Sequence, residues 1–176
     1  MSAHSTGGEA VKGVAAIAWD AHGELEVLTF DLGGERFAIE ATLVREIVEL
    51  LPETKVPGAP ALVDTVVNHR GRIVPVADLR AAFAMVAAPP TAESRLVVVE
   101  LTLDDETLLL GLRADRVHEV VTFAEANSED APSVGVRWPR AYVRRLVRSG
   151  DDVIVLPDLA AILAPAFDGA GAGIGE

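Results

Sequence analysis

A chain of 176 residues with a net charge of −12 and no cysteine has no disulfide, no thiolate metal site and no thiol nucleophile, and its sign opposes nucleic acid, whose binding requires Lys and Arg to displace condensed counterions. Half of the residues are hydrophobic but only 5% are aromatic, so the core is built from Val, Leu, Ile and Ala, and the β-branched members of that set favour strands. The length allows one sizeable domain or two small ones. In chain order, Val14 to Trp19 is apolar but too short for a signal peptide core or a membrane span, which predicts a protein that stays in the cytoplasm without inserting into a membrane. Val27 to Leu32, a Gly33-Gly34 turn and Arg36 to Glu40 read as a hairpin with a primed turn, and Glu46 to Leu50 as a third strand. Thr65 to Asn68 and Arg72 to Val76 form a second strand pair closed near Gly71. Asp78 is placed to cap a short helix through Phe83, because its carboxylate can accept the free amide protons of a first turn. Ala87 to Ser94, with Pro89-Pro90, reads as a linker.

The second half repeats this plan. Strands at Leu96 to Leu103 and Leu108 to Leu112 flank an acidic Asp104-Asp105-Glu106 turn, and another strand runs from Val117 to Val121. A shift of 73 positions puts Phe37, Ile39, Val44, Glu46 and Ile47 on Leu110, Leu112, Val117, Glu119 and Val120. A shift of 80 puts Ile73, Val74, Val76, Asp78 and Leu79 on Val153, Ile154, Leu156, Asp158 and Leu159. Small units of short strands bury both sheet faces only by curling into barrels. The expected class is therefore all-β with short helices, as two β-barrels related by internal pseudo-symmetry. The expected division is a tail over residues 1–25, one domain over 26–165 made of interleaved barrels at about 26–88 and 94–165, and a Gly-rich tail over 166–176. Thr122 to Pro139 reads as a surface loop.

Catalytic chemistry finds no candidate. His4, His22, His69 and His118 show no metal-ligand spacing, and no serine lies in a GxSxG elbow. The glycines near the end follow no strand and open no helix, so no phosphate cradle is expected there. Three carboxylates at the 104–106 hairpin tip diverge instead of converging on a cation. No cofactor and no metal are expected. Arg137, Arg140, Arg144, Arg145 and Arg148 oppose the overall charge. On a strand Arg144 and Arg148 share one face, either as a solubilising patch or as a docking patch for an acidic partner.

The segment Asn68-His69-Arg70-Gly71-Arg72-Ile73-Val74-Pro75-Val76-Ala77-Asp78-Leu79-Arg80 resembles the NxRGxIxPVxDLR signature of the CheW family of chemotaxis adaptors. Val44-Arg45-Glu46-Ile47 resembles its VxEI motif, and Gly111, Asp115-Arg116-Val117 and Ile154 to Leu159 resemble its second half. The likeness covers about Leu25 to Leu163. It implies two SH3-like, five-stranded barrels and a non-catalytic scaffold that couples the cytoplasmic tip of methyl-accepting chemoreceptors to the C-terminal regulatory domain of the histidine kinase CheA, with ring-forming self-association possible. It also implies a receptor surface at Val44, Glu46 and Arg70, with Arg70 paired to Glu46. Asn68, Gly71, Pro75 and Asp78 read as structural: an amide that ties a turn, a glycine at positive φ, a proline at an edge or bulge, and a cap. Thr65 stands where the family commonly has glycine, and Arg145 and Val147 where it has two more. An adaptor of a pathway controlling pili or another output is the alternative, followed by a small-molecule-binding barrel. The isolated regulatory domain of a kinase fits less well, because Met1 lies only a short tail ahead of the first strand.

Overall fold

The computed structural model describes residues 17–132 and 138–174. Its strands are β1 (Glu24–Leu32), β2 (Glu35–Glu40), β3 (Val44–Glu49), β4 (Glu53–Lys55), β5 (Thr65–His69), β6 (Arg72–Ala77), β7 (Arg95–Leu103), β8 (Glu106–Ala114), β9 (Arg116–Ala124), β10 (Ser128–Glu129), β11 (Val143–Ser149) and β12 (Asp152–Pro157), followed by the helix α1 (Leu159–Ile174). They form two sheets, ordered β4-β5-β6-β8-β7-β3 and β10-β11-β12-β2-β1-β9. Both sheets close on themselves. The edge strands β3 and β4 are joined by residues 50–52 alone, and β9 and β10 by residues 125–127 alone. Three residues reach at most about 14 Å, whereas the edges of a flat six-stranded sheet lie about 24 Å apart. Counting each such pair as one bent strand gives five strands per barrel. We call the sheet of β3 to β8 barrel I and the other barrel II.

The two orders match strand for strand, including the one parallel contact in each, β6 with β8 and β12 with β2. The pseudo-symmetry expected from the two sequence shifts is thus present, but the barrels do not divide at residues 88–94. Each half of the chain gives its first hairpin to the other barrel: β1–β2 completes barrel II and β7–β8 completes barrel I. The reason lies in the patterning. Leu28, Phe30, Leu32, Phe37 and Ile39 point into a core shared by the two barrels, while Val27 and Ala38 face the interior of barrel II. Val97, Val99, Leu101, Leu110 and Leu112 point into the same shared core, and Leu96 lies inside barrel I. A hairpin apolar on both faces is buried only between two layers.

Gly111 corresponds to Ala38 under the 73-residue shift and lies between Leu110 and Leu112. A Cβ at Gly111 would sit 2.8–3.0 Å from the Leu96 side chain, which is itself buried inside barrel I. Gly111→Ala should therefore cost about 1–3 kcal/mol by overpacking, read as a lower urea midpoint at unchanged m-value.

Three local expectations need correction. After Asp78 there is no helix but a single turn, closed by Phe83 N to Leu79 O (3.1 Å) and ended by Ala84 at φ 56°. Asp158, its counterpart, does cap a helix, accepting Ala161 N at 3.0 Å. Second, α1 runs on through the segment expected as a tail from 166, because Ile162, Leu163 and Phe167 pack against the shared core and carry it past Pro165. Third, Pro75 lies on a strand flanked by β5 and β8, not on an edge. The ladder to β8 begins only at Val76, so no hydrogen bond on that side is lost at Pro75. Of the expected 122–139 loop, β9 takes up residues to Ala124, a 3-10 turn and β10 follow, and 133–137 lie outside the described residues, as do residues 1–16 of the N-terminal tail and 175–176.

Candidate functional site

At one end of barrel I, β3 meets the β5–β6 hairpin across the seam where the sheet closes. The turn is tight, with Arg70 at φ 54° and Gly71 at φ 79°, and the Asn68 side chain accepts the Gly71 amide at 3.0 Å. Gly71 takes this conformation freely, but for an arginine the left-handed region costs about 1–2 kcal/mol. Asn at position 70 would suit the turn better. What Arg70 supplies instead is a fork: its Nε donates to Glu46 Oε1 at 2.9 Å and its Nη2 to Glu46 Oε2 at 2.7 Å. The guanidinium is 71% exposed and the carboxylate 33%. Hydrogen bonding from Arg70 holds the Glu46 carboxyl below its ordinary value, partial burial opposes this, and the charges of Arg70 and His69 reinforce it. Glu46 in turn raises the Arg70 guanidinium.

Sequence reading missed the third member. His69 lies nearly buried with Nε2 3.1 Å from Glu46 Oε1; its only signal is its place beside Arg70, since the absence of metal-ligand spacing says nothing of an ion pair. Val44 sits on the same strand as Glu46, across a bulge that leaves Arg45 unmatched, and packs partly buried against the shared core. Arg45 bonds Glu100 at 2.6 Å. Val44, Glu46 and Arg70 thus line one edge of barrel I, with only the latter two in contact.

Arg144 and Arg148 do not form the expected shared patch. A bulge between Val143 and Arg145 breaks the alternation along β11. Arg144 turns inward, 8% exposed, and both its Nη atoms donate to Glu40 at 2.8 Å. Arg145 pairs with Asp130 and Arg148 with Glu129, while Arg137 is outside the described residues. Asp78 accepts the Arg80 amide at 3.1 Å, and buried Arg80 bridges from Asp78 to Asp115. No group of three or more His, Asp or Glu among the described residues is arranged to hold a metal, and none of the described helices is long and apolar enough to cross a membrane.

A family model described as "CheW-like domain" matches residues 26–166. This chain belongs to the CheW-like family. CheW-like proteins are non-catalytic scaffold proteins of chemotaxis. One similar relative is "Chemotaxis protein CheW" of Rhizobium meliloti, 28% identical over 141 residues, covering 80% of this chain and 88% of the relative. Another is "Chemotaxis protein CheW" of Klebsiella aerogenes, 29% identical over 139 residues, with coverages of 79% and 81%. Among solved structures, that of the scaffolding protein TtCheW from Thermoanaerobacter tengcongensis superposes with a TM-score of 0.69 at 27% identity, covering 79% of this chain and 92% of that one. The double barrel described above is accordingly a CheW-like fold.

Proposed function

We propose that this CheW-like chain is a cytoplasmic adaptor that couples the tip of a chemoreceptor to the C-terminal regulatory domain of the kinase CheA. The observation that carries the receptor half is the Arg70–Glu46 fork. A left-handed arginine in a solvent-facing turn is a local cost, and its bidentate pair presents a fixed, planar group beside partly buried Val44. Such a group suits a partner's polar backbone or side chains next to an apolar contact.

Support for the kinase half comes from a second feature. Exposed apolar side chains occur at matching positions of the two barrels: Ile47 with Val120, and Ile73 with Val153. Each barrel therefore offers its own apolar contact to a similar double barrel, and two such contacts per molecule permit rings. Weak individual contacts then gain strength from being linked. We take residues 26–165 as the working unit.

The test measures binding of the purified chain to a receptor tip fragment and to the CheA C-terminal domain. Arg70→Glu, which sets two carboxylates against each other, should weaken the receptor complex by at least about tenfold while leaving the chain's melting temperature close to that of the parent. Absence of any complex with cognate receptor and kinase fragments would overturn the adaptor reading; an Arg70→Glu variant that binds the receptor as the parent does would overturn the assignment of this surface.

A further inference from the structure

The end of barrel I away from the Arg70 turn holds a cavity. Thr65, on its wall, begins β5 and His69 ends that strand, which puts about 13 Å between the two sites at 3.3 Å per residue. The volume is about 710 Å³, within the range of small-ligand sites, which recur at barrel mouths. Leu50, Leu51, Val76 and Met85 make an apolar wall, and the linker between the two halves of the chain lines another side through Ala87 and Pro90.

The ions on this wall all have partners of opposite charge. Lys55 holds Asp64 at 3.1 Å, Arg113 holds Glu53 at 2.5 Å and lies 3.7 Å from Asp78, and Arg80 bridges Asp78 and Asp115. An added cation would find these carboxylates engaged, and an added anion would meet four of them set around three cations. The wall therefore suits a neutral occupant.

One donor on the wall is left over. Arg80 is only 6% exposed, and its Nε has no hydrogen-bond partner among the described residues. The cause is that both neighbouring carboxylates are in use. Asp115 accepts Arg80 Nη2 on Oδ1 and the Gly33 amide on Oδ2 at 2.8 Å. Asp78 Oδ1 accepts the Arg80 amide at 3.1 Å and Nη1 at 3.4 Å, while Oδ2 faces Arg113. Barrel II shows how this fold completes a buried guanidinium. Arg144 gives both Nη atoms to Glu40 and its Nε to the Pro157 carbonyl at 3.1 Å. Arg80 lacks the counterpart of that carbonyl, and a buried donor on a charged group is costly to leave without an acceptor.

We propose that this cavity binds a small neutral carbonyl compound. Its oxygen accepts from Arg80 Nε, in the role that Pro157 O has at Arg144, and its apolar body lies on Leu50, Leu51 and Met85. The site stands apart from the docking surface at Arg70 and does not rest on the adaptor reading.

The test uses the full nitrogen-15-labelled chain alone, without receptor or kinase, titrated with caprolactam, cyclohexanone and N-butylacetamide and followed by NMR. Hexanoate and cyclohexylammonium serve as charged counterparts of similar size. Saturable binding of a neutral carbonyl compound is expected, with a downfield shift of the Arg80 Nε–H proton and shifts of the Thr65, Val76 and Met85 amides. Arg80→Lys keeps the charge but removes Nε, and should weaken the binding about tenfold. Ala61→Trp at the rim should weaken it at least as much by filling the mouth, and Ala87→Trp replaces either variant if it fails to fold. No saturation by any of the three compounds, or charged counterparts bound as tightly, would overturn the proposal. So would an Arg80 Nε–H signal that stays in place at saturation, or unchanged affinity in a folded rim variant.

Discussion

Arg144→Ala should lower the stability of the whole fold by about 3–5 kcal/mol at pH 7, the usual cost of stranding one partner of a buried ion pair. Glu40 is 16% exposed and Arg144 only 8%, so neither recovers water when the other is removed. Burial pushes the Glu40 carboxyl up, but the hydrogen bonds and charge of Arg144 together outweigh it and hold the group below its ordinary value. The parent therefore owes to this pair a stability that is complete above the ordinary glutamate range and is lost as the pH falls through the depressed folded value. In Arg144→Ala the burial, the largest of the causes, is opposed only by a backbone hydrogen bond, the smallest, and the sign reverses. Glu40 then has a raised folded value, and its contribution is lost as the pH rises through it. The difference between parent and variant in urea midpoint should accordingly shrink on going from pH 7 to about pH 4. Glu40→Met with Arg144→Met, which removes both charges, should cost far less than Arg144→Ala. A double variant as unstable as the single one would show that the corner depends on packing and not on an uncompensated charge.

The contrast between these two arginine sites marks what a sequence reading could and could not reach. Arg70 and Glu46 are 24 positions apart, yet both lie in short motifs whose pairing the family resemblance implied. Glu40 and Arg144 are 104 apart and lie in no motif; their meeting depends on β2 joining the barrel of β11 and β12. Interleaving was expected, but which hairpin each half lends was hidden because the two halves are alike. Strand positions and turns followed from apolar runs, from Gly33-Gly34 and from Asn68 to Gly71, but the same runs fit either barrel equally well. The face assignment along β11 failed because one bulge shifts every later side chain, and alternation alone carries no sign of a bulge. At Asp78 the carboxylate accepts the Arg80 amide but the expected helix is absent. Asp158 is followed by Leu159, Ile162 and Leu163, a stripe that a helix can bury, whereas after Asp78 buried Arg80 turns back to Asp115 and the chain leaves as the crossing linker.

Phe37→Ala is expected to destabilise both barrels together by about 3–5 kcal/mol. Phe37 is fully buried, stacks on Phe30 at a centroid distance of 5.9 Å and meets Phe83 edge-on at 5.2 Å. Phe30 and Phe37 belong to the hairpin that the first half lends to barrel II, and Phe83 follows β6 of barrel I. The ring therefore ties together elements that neither barrel could release without opening the other. Native-state hydrogen exchange tests this directly. Amides of β5 and β6 in barrel I and of β11 and β12 in barrel II should lose protection by the same free energy in Phe37→Ala, because their slowest exchange requires the same global opening. Were the barrels independent units, the variant would strip protection from β11 and β12 while β5 and β6 kept that of the parent. The exchanged hairpins make that outcome the one that would refute a single cooperative fold.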